Sequence, residues 1–245
     1  MSKLIEKDTK YGYIAYFKND MAFADALKQE KIYEEDFVIE FLHKIIKSSK
    51  TILDVGSHAG SHTVLYKHIN PDCEIYCFEP QLEMFNLLNH NIVKNNFDNV
   101  IAFNNGVANI SIKSNMSKSV LDGDNIGKDI QYGTNSRFNL GGLQIGNGGE
   151  EIETITIDSL NLKSCDYIKI DVEGFEPLVL MGAKETIKKF KPTILFESNH
   201  KVISKDMAEK FGLSYPVESS FDILKSHGYK EIKLIDNEHN YLATF

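Results

Sequence analysis

Five carboxylates and one histidine stand where short apolar runs end: Asp54, Glu79, Asp171, Glu173, Glu197 and His200. Groups placed there serve two kinds of chemistry. A carboxylate at the end of one strand can accept both hydroxyls of a ribose, and Glu79, closing Glu74-Ile75-Tyr76-Cys77-Phe78, is placed for that task. Carboxylates or an imidazole at the ends of other strands can take the proton of a reacting hydroxyl, and Asp171, Glu197 and His200 are the leading candidates for such a base. Between Asp54 and the next helix lie Gly56, Ser57, His58, Ala59, Gly60 and Ser61. Two glycines this close to a strand end let a ligand approach the backbone. Their Asp-x-Gly-x-x-x-Gly spacing differs from the Gly-x-Gly-x-x-Gly of a loop that cradles a diphosphate.

Other constellations carry less chemistry. A divalent cation between Asp171, Glu197 and Asn199 is an alternative that oxygen ligands permit, but no spacing demands it, so no metal is expected. His58 and His62 are four apart like a zinc pair, yet Gly60 between them interrupts a helix face; loop contacts or capping are expected instead. Asn105, in an Asn-Asn-Gly turn, can reach an adenine or simply serve the turn.

Parallel strands must position these groups. Thr51 to Val55 is a fully apolar run apart from Asp54, and Ser61 to Ile69 has helical periodicity with Asn70-Pro71 to stop it. The strand-then-helix pattern repeats through Glu74 to Phe78, a helix with Leu82, Phe85, Leu88 and Ile92 inward, and Val100 to Phe103. Three such units predict a right-handed, doubly wound parallel sheet. Strands recur at Ile152 to Ile157, Tyr167 to Val172 and Thr193 to Glu197, with a helix opened by Pro177. Glu231 to Ile235 and Tyr241 to Phe245 read as an antiparallel edge hairpin. Upstream, residues 1 to 18 read as a strand or hairpin carrying no functional signal. Tyr33 to Lys47 reads as a helix with Phe37, Phe41 and Ile45 four apart, its Glu34-Glu35-Asp36 run compensating the helix dipole. Residues 107 to 150 break the rhythm with a polar, glycine-rich tract; a structureless run of that length is unusual in a compact domain, so a partly ordered insertion on the substrate side is expected. Arg137 and Asn139 in that tract, with Glu173, are the expected substrate contacts.

One domain over 1–245 accommodates all of this: an N-terminal extension to residue 50, a cofactor-binding half over 51–106, the insertion over 107–150 and a C-terminal half over 151–245. The 245 residues are 42% hydrophobic and 25% charged, enough for a sizeable core, and the net charge of −8 disfavours a general nucleic-acid binder. Cys73, Cys77 and Cys165 have no metal spacing and suit a reducing compartment. No run approaches the ~20 apolar residues that span a bilayer, so a cytoplasmic protein without membrane or nucleic-acid partners is expected.

The glycine loop resembles motif I of class I S-adenosylmethionine-dependent methyltransferases. Taken with Phe78-Glu79-Pro80, Asn139-x-Gly141-Gly142, Thr156-Ile157-Asp158-Ser159-Leu160, Tyr167-Ile168-Lys169-Ile170-Asp171-Val172-Glu173-Gly174-Phe175-Glu176 and Lys191-Pro192-x-Ile194-Leu195-x-Glu197, in this order, the chain is similar to the FkbM-type family over roughly residues 20 to 200. Ser57-His58 departs from the Ala-Asn more usual there. The resemblance implies a Rossmann-like, mostly parallel seven-stranded α/β sheet with a C-terminal hairpin and an N-terminal helical extension. It implies S-adenosyl-L-methionine bound by Asp54, Gly56, Ser57, His58, Gly60, Ser61, Glu79, Pro80, Asn105 and Asp171. It also implies O-methylation of a small-molecule hydroxyl, commonly on a sugar. A non-catalytic adaptor of the same fold and a non-sugar acceptor are the competing readings.

Overall fold

In a computed structural model of the chain, residues 3–121, 125–198, 203–236 and 239–245 are described. The N-terminal hairpin pairs β1 (Leu4–Thr9) with β2 (Gly12–Phe17), and α1 (Met21–Lys28) follows. Helical backbone then runs through α2 (Glu35–Phe37), a π-turn (Val38–Leu42) and α3 (His43–Ser48). The uninterrupted helix expected from Tyr33 is therefore corrected twice. Glu34 is left-handed (φ 61°), so helix begins only after it. The extra residue of the π-turn rotates the inward face, and Val38, Leu42 and Ile46 are buried while Phe41 is 39% exposed.

Next come β3 (Thr51–Val55), α4 (Ser61–Ile69), β4 (Glu74–Phe78), α5 (Leu82–Lys94) and β5 (Val100–Phe103). The second half supplies β10 (Tyr167–Ile170), α6 (Glu176–Gly182), α7 (Lys184–Phe190), β11 (Thr193–Glu197), the short α8 (Lys205–Lys210) and α9 (Ser220–Ser226), then β12 (Glu231–Leu234) and β13 (Asn240–Thr244). The main sheet has the order β12-β13-β11-β10-β3-β4-β5, parallel from β11 to β5, with β13 antiparallel to both of its neighbours. Every residue of β3 and β10 is buried, as befits central strands covered on both faces. Progress along the chain reverses between β3 and β10, so the crevice at their carboxyl ends is where a ligand belongs.

Residues between β5 and β10 fold into a second sheet: β6 (Gly106–Val107), β7 (Lys113–Ser117), β8 (Ile145–Gly146) and β9 (Gly148–Ile155), in the order β6-β9-β7-β8. The strand read at Ile152 to Ile157 thus belongs to this smaller sheet. Its tract between β7 and β8 is anchored by Phe138 and Leu140, both buried, and by backbone hydrogen bonds that tie Phe138 to Asn19 and Met21. The insertion and the N-terminal segment therefore close over the sheet together.

Two asparagines of α5 dock the hairpin. Asn91 Oδ1 accepts from the Ala15 N–H (2.9 Å), while its Nδ2 donates to the carbonyls of Ala15 (3.0 Å) and Ala59 (2.8 Å); Asn95 makes the same two-way contact with Tyr13. The amides stand in for a neighbouring strand on the edge of β2, satisfying backbone groups that burial would otherwise orphan. Cys73, Cys77 and Cys165 are free thiols, all buried. Among the described residues no helix is long and apolar enough to cross a membrane.

Candidate active site

A cavity of 360 Å³ opens at the carboxyl ends of β3, β4, β5, β10 and β11. Its floor is the loop after β3. Gly56 is left-handed (φ 79°), and a Cβ built on it would stand 1.8 Å from the Asp171 carbonyl oxygen, so only glycine allows the ends of β3 and β10 to approach this closely. The Gly56 and Ser57 N–H groups both donate to the Phe78 carbonyl, tying the loop to the end of β4. Gly60, also left-handed, turns the chain into α4.

Glu79 is 3% exposed and accepts from the His58 N–H through Oε2 and from the Gln81 N–H through Oε1, each at 2.9 Å. Burial pushes its carboxyl above the ordinary glutamate range, against the pull of His58 and the two N–H groups. Since a carboxylate offers about four lone-pair directions, two acceptor positions remain for a ligand.

The motif lysine is the cation that organises the floor. Lys169 Nζ donates to the Gly56 carbonyl (2.7 Å) and lies 3.2 Å from Asp171 Oδ2 and 3.6 Å from Asp54 Oδ1. Burial opposes its charge, but Asp171, Asp54 and Glu34 together hold the ammonium above the usual lysine value. Asp54 itself is fully buried beneath the loop, where Oδ2 accepts from the Thr63 hydroxyl (2.8 Å).

The structure thus divides the expected residues. Gly56, His58, Glu79, Pro80, Asn105, Asn139, Asp171, Glu173 and Glu197 line the cavity. Asp54, Ser57, Gly60 and Ser61 lie behind it: the Ser57 hydroxyl donates to the Asp54 carbonyl, and the Ser61 hydroxyl meets the Tyr16 hydroxyl at 2.8 Å. Their expected ligand contacts are corrected to support of the loop. Arg137 pairs with Asp25 on the surface, outside the cavity, because the tract that carries it is pinned to α1. His200 and Asn199 lie outside the described residues. One carboxylate oxygen each from Asp171, Glu173 and Glu197 falls within 4.8 Å of the others, a spacing a divalent cation could use; this differs from the Asp171, Glu197 and Asn199 set read from sequence.

The N-terminal segment also reaches the cavity, through Phe23, Tyr33 and Glu34. Glu34 lies beside the zinc-spaced His62, its Oε2 2.8 Å from Nε2, and so is not simply a helix-dipole charge. Nothing in spacing marked these residues, because their partners come from α4 and the loop before it.

A parallel sheet of this order, closed by an antiparallel edge hairpin and carrying a glycine loop at its switch point, defines a class I methyltransferase. The chain belongs to the FkbM methyltransferase family, whose domain matches residues 54–231. It is 26% identical over 151 residues to the 2-O-methyltransferase NoeI of Sinorhizobium fredii, covering 58% of this chain and 61% of that protein. It thus spans about three fifths of the length of that relative. Among solved structures it is similar to the methyltransferase FkbM of Methylobacillus flagellatus (TM-score 0.52, 16% identity, 80% of this chain and 44% of that one). Aeropyrum pernix fibrillarin, solved with S-adenosyl-L-methionine bound, superposes with a TM-score of 0.44 at 13% identity, over 82% of this chain and 68% of that one.

S-adenosyl-L-methionine is the cofactor. The cavity suits it: Glu79, a carboxylate with two spare acceptor directions, follows β4, and the Gly56 loop lines the cavity at the switch point.

Proposed function

We propose that the protein methylates a hydroxyl oxygen of a sugar or glycan. The observation that carries this reading is that one cavity is lined both by Gly56 and Glu79 and by the carboxylates Asp171, Glu173 and Glu197. Support comes from the relative whose name records 2-O-methylation. In this reading Glu79 receives the ribose hydroxyls, Gly56, His58 and Pro80 flank the methionine part, and Asn105 faces the adenine.

The bound cofactor supplies a methyl group on a sulfonium, an electrophile that needs in-line approach. The chain's own task is to hold the acceptor and accept its proton. The proton of the acceptor hydroxyl would pass to a carboxylate at the strand ends, Asp171 or Glu197, when its oxygen is methylated. Lys169, 3.2 Å from Asp171, fixes the orientation of that carboxylate. Glu173, left-handed at φ 58°, and Asn139 face the acceptor.

Isothermal titration with S-adenosylhomocysteine and labelled-methyl transfer to a panel of glycosides test the reading. Glu79→Ala should weaken the product cofactor by ~10-fold or more, the loss of two hydroxyl contacts to a buried acceptor. Binding by the wild type without transfer to any glycoside would refute the sugar assignment. Unchanged affinity in Glu79→Ala would remove Glu79 from the ribose site.

A further inference from the structure

Gln81 follows Glu79 by two residues, lines the same cavity and is 3% exposed. It occupies the N-cap position of α5, where a side chain usually accepts from the first helical N–H groups, yet its own side chain makes no capping hydrogen bond. That task falls to Glu150, whose Oε1 accepts from the Leu82 N–H at 3.3 Å. The Gln81 side chain is engaged elsewhere: its Oε1 accepts from the Tyr132 hydroxyl at 2.6 Å. Burial, together with the carboxylates of Glu150 and Glu79, pushes that hydroxyl above the usual phenol range, so it keeps the proton it donates.

With its oxygen taken by Tyr132, the amide presents its nitrogen on the other side. Nε2 has no protein partner among the described residues and, unlike the ring nitrogens of His58, is not sealed from solvent. It is a donor left over in a residue that lines the cavity. Tyr132 lines a second cavity, of 390 Å³, rather than this one, so its reach to a ligand runs through Gln81. The tyrosine is itself held in place. Asn19, 2% exposed, donates through Nδ2 to the Gln131 carbonyl (2.7 Å) and accepts through Oδ1 from the Gly133 N–H (2.9 Å), gripping the peptide groups on either side of Tyr132. Phe17 packs against the tyrosine ring at a centroid distance of 5.6 Å.

Ligand chemistry supplies the missing acceptor. A ribose that gives both hydroxyl protons to Glu79 keeps lone pairs on both hydroxyl oxygens, and lone pairs removed from water need donors. We propose that Gln81 Nε2 donates to a ribose hydroxyl oxygen of the cofactor, and that Tyr132, from the insertion, is the positioning residue that sets the amide. This rests on the reading of Glu79 as the ribose carboxylate and extends that site to the insertion.

Calorimetric titration with S-adenosylhomocysteine and with its 2′-deoxy and 3′-deoxy analogues tests the contact without turnover, and so independently of the sugar acceptor. Gln81→Met keeps the length of the side chain and removes its donor; Tyr132→Phe keeps the ring and removes the hydroxyl. The Kd of S-adenosylhomocysteine should rise ~5-fold in Gln81→Met, for one lost hydrogen bond, and ~3-fold in Tyr132→Phe, for its lost alignment. On the deoxy analogue that lacks the hydroxyl served by Gln81, neither substitution should weaken binding further, whereas on the other analogue the full factor should persist. A merely structural loss would weaken all three ligands alike. Tyr132→Phe leaves Gln81 in place and reads the same contact should Gln81→Met fail to fold. A wild type that binds both deoxy analogues as tightly as S-adenosylhomocysteine would overturn the ribose reading and this proposal with it. A wild type weakened by deoxygenation, with Gln81→Met either unchanged or losing the same factor on all three ligands, would overturn the Gln81 contact alone. Tyr132→Phe equal to wild type on all three would overturn the positioning role.

Discussion

Glu176 offers the sharpest physical test of the site's architecture. It opens α6, is 5% exposed, and its Oε1 accepts from the N–H groups of Val172 (3.2 Å) and Gly174 (3.1 Å). This one carboxyl therefore closes the turn that presents Asp171 and Glu173, a turn with left-handed backbone at both Glu173 and Gly174. Burial raises its pKa from 4.5 to about 7, opposed by the N–H donors, and the neighbouring Asp171 charge adds to the rise. The sign follows from linkage: between about 4.5 and about 7 the folded chain holds a proton that the unfolded chain has released, so stability present at the acid end is lost as pH rises. At 1.36 kcal/mol per unit, the loss is on the order of 3 kcal/mol. Glu176→Gln keeps the carbonyl acceptor for both N–H groups and cannot ionise; allowing ~1 kcal/mol for the new amide donors, it should be about 2 kcal/mol more stable than wild type near pH 8. Urea unfolding followed by circular dichroism at about pH 5 and about pH 8 measures both chains. Equal pH slopes in the two proteins, or a variant less stable at the alkaline end, would refute the assignment of a buried, proton-holding carboxyl.

Two further perturbations probe other joints. Gly56→Ala places a Cβ 1.8 Å from the Asp171 carbonyl oxygen, which forces β3 and β10 apart; the variant should lose at least ~3 kcal/mol of stability along with S-adenosylhomocysteine binding, read by thermal melts and titration. Asn91→Ala orphans the N–H and carbonyl of Ala15 and the carbonyl of Ala59, a loss of about 3 kcal/mol, and proteolysis within residues 4–17 should accelerate before the remainder of the chain is cut.

The strand ends were readable in the sequence because a buried parallel strand is a short apolar run, and the residue after it must emerge at the ligand edge whatever the helices do. That logic found Gly56, Glu79, Asp171 and Glu197, all of which line the cavity. It misplaced Asp54 for a definable reason. Asp54 lies inside β3, one residue before its end, so it points into the protein and meets Thr63 and Lys169 rather than the cavity. Lys169 was equally hidden, since a lysine within an apolar strand shows its role only when the acids on the adjoining strand are known. Glu176, Phe23 and Glu34 were beyond reach for the complementary reason: each acts through a partner distant in the chain or through backbone conformation that composition does not encode. A turn held by one buried carboxyl and a cavity lining drawn from the N-terminal segment have no periodicity. The motif therefore marks where strand ends open into the cavity, and the unpatterned N-terminal segment, through Phe23, Tyr33 and Glu34, completes its lining.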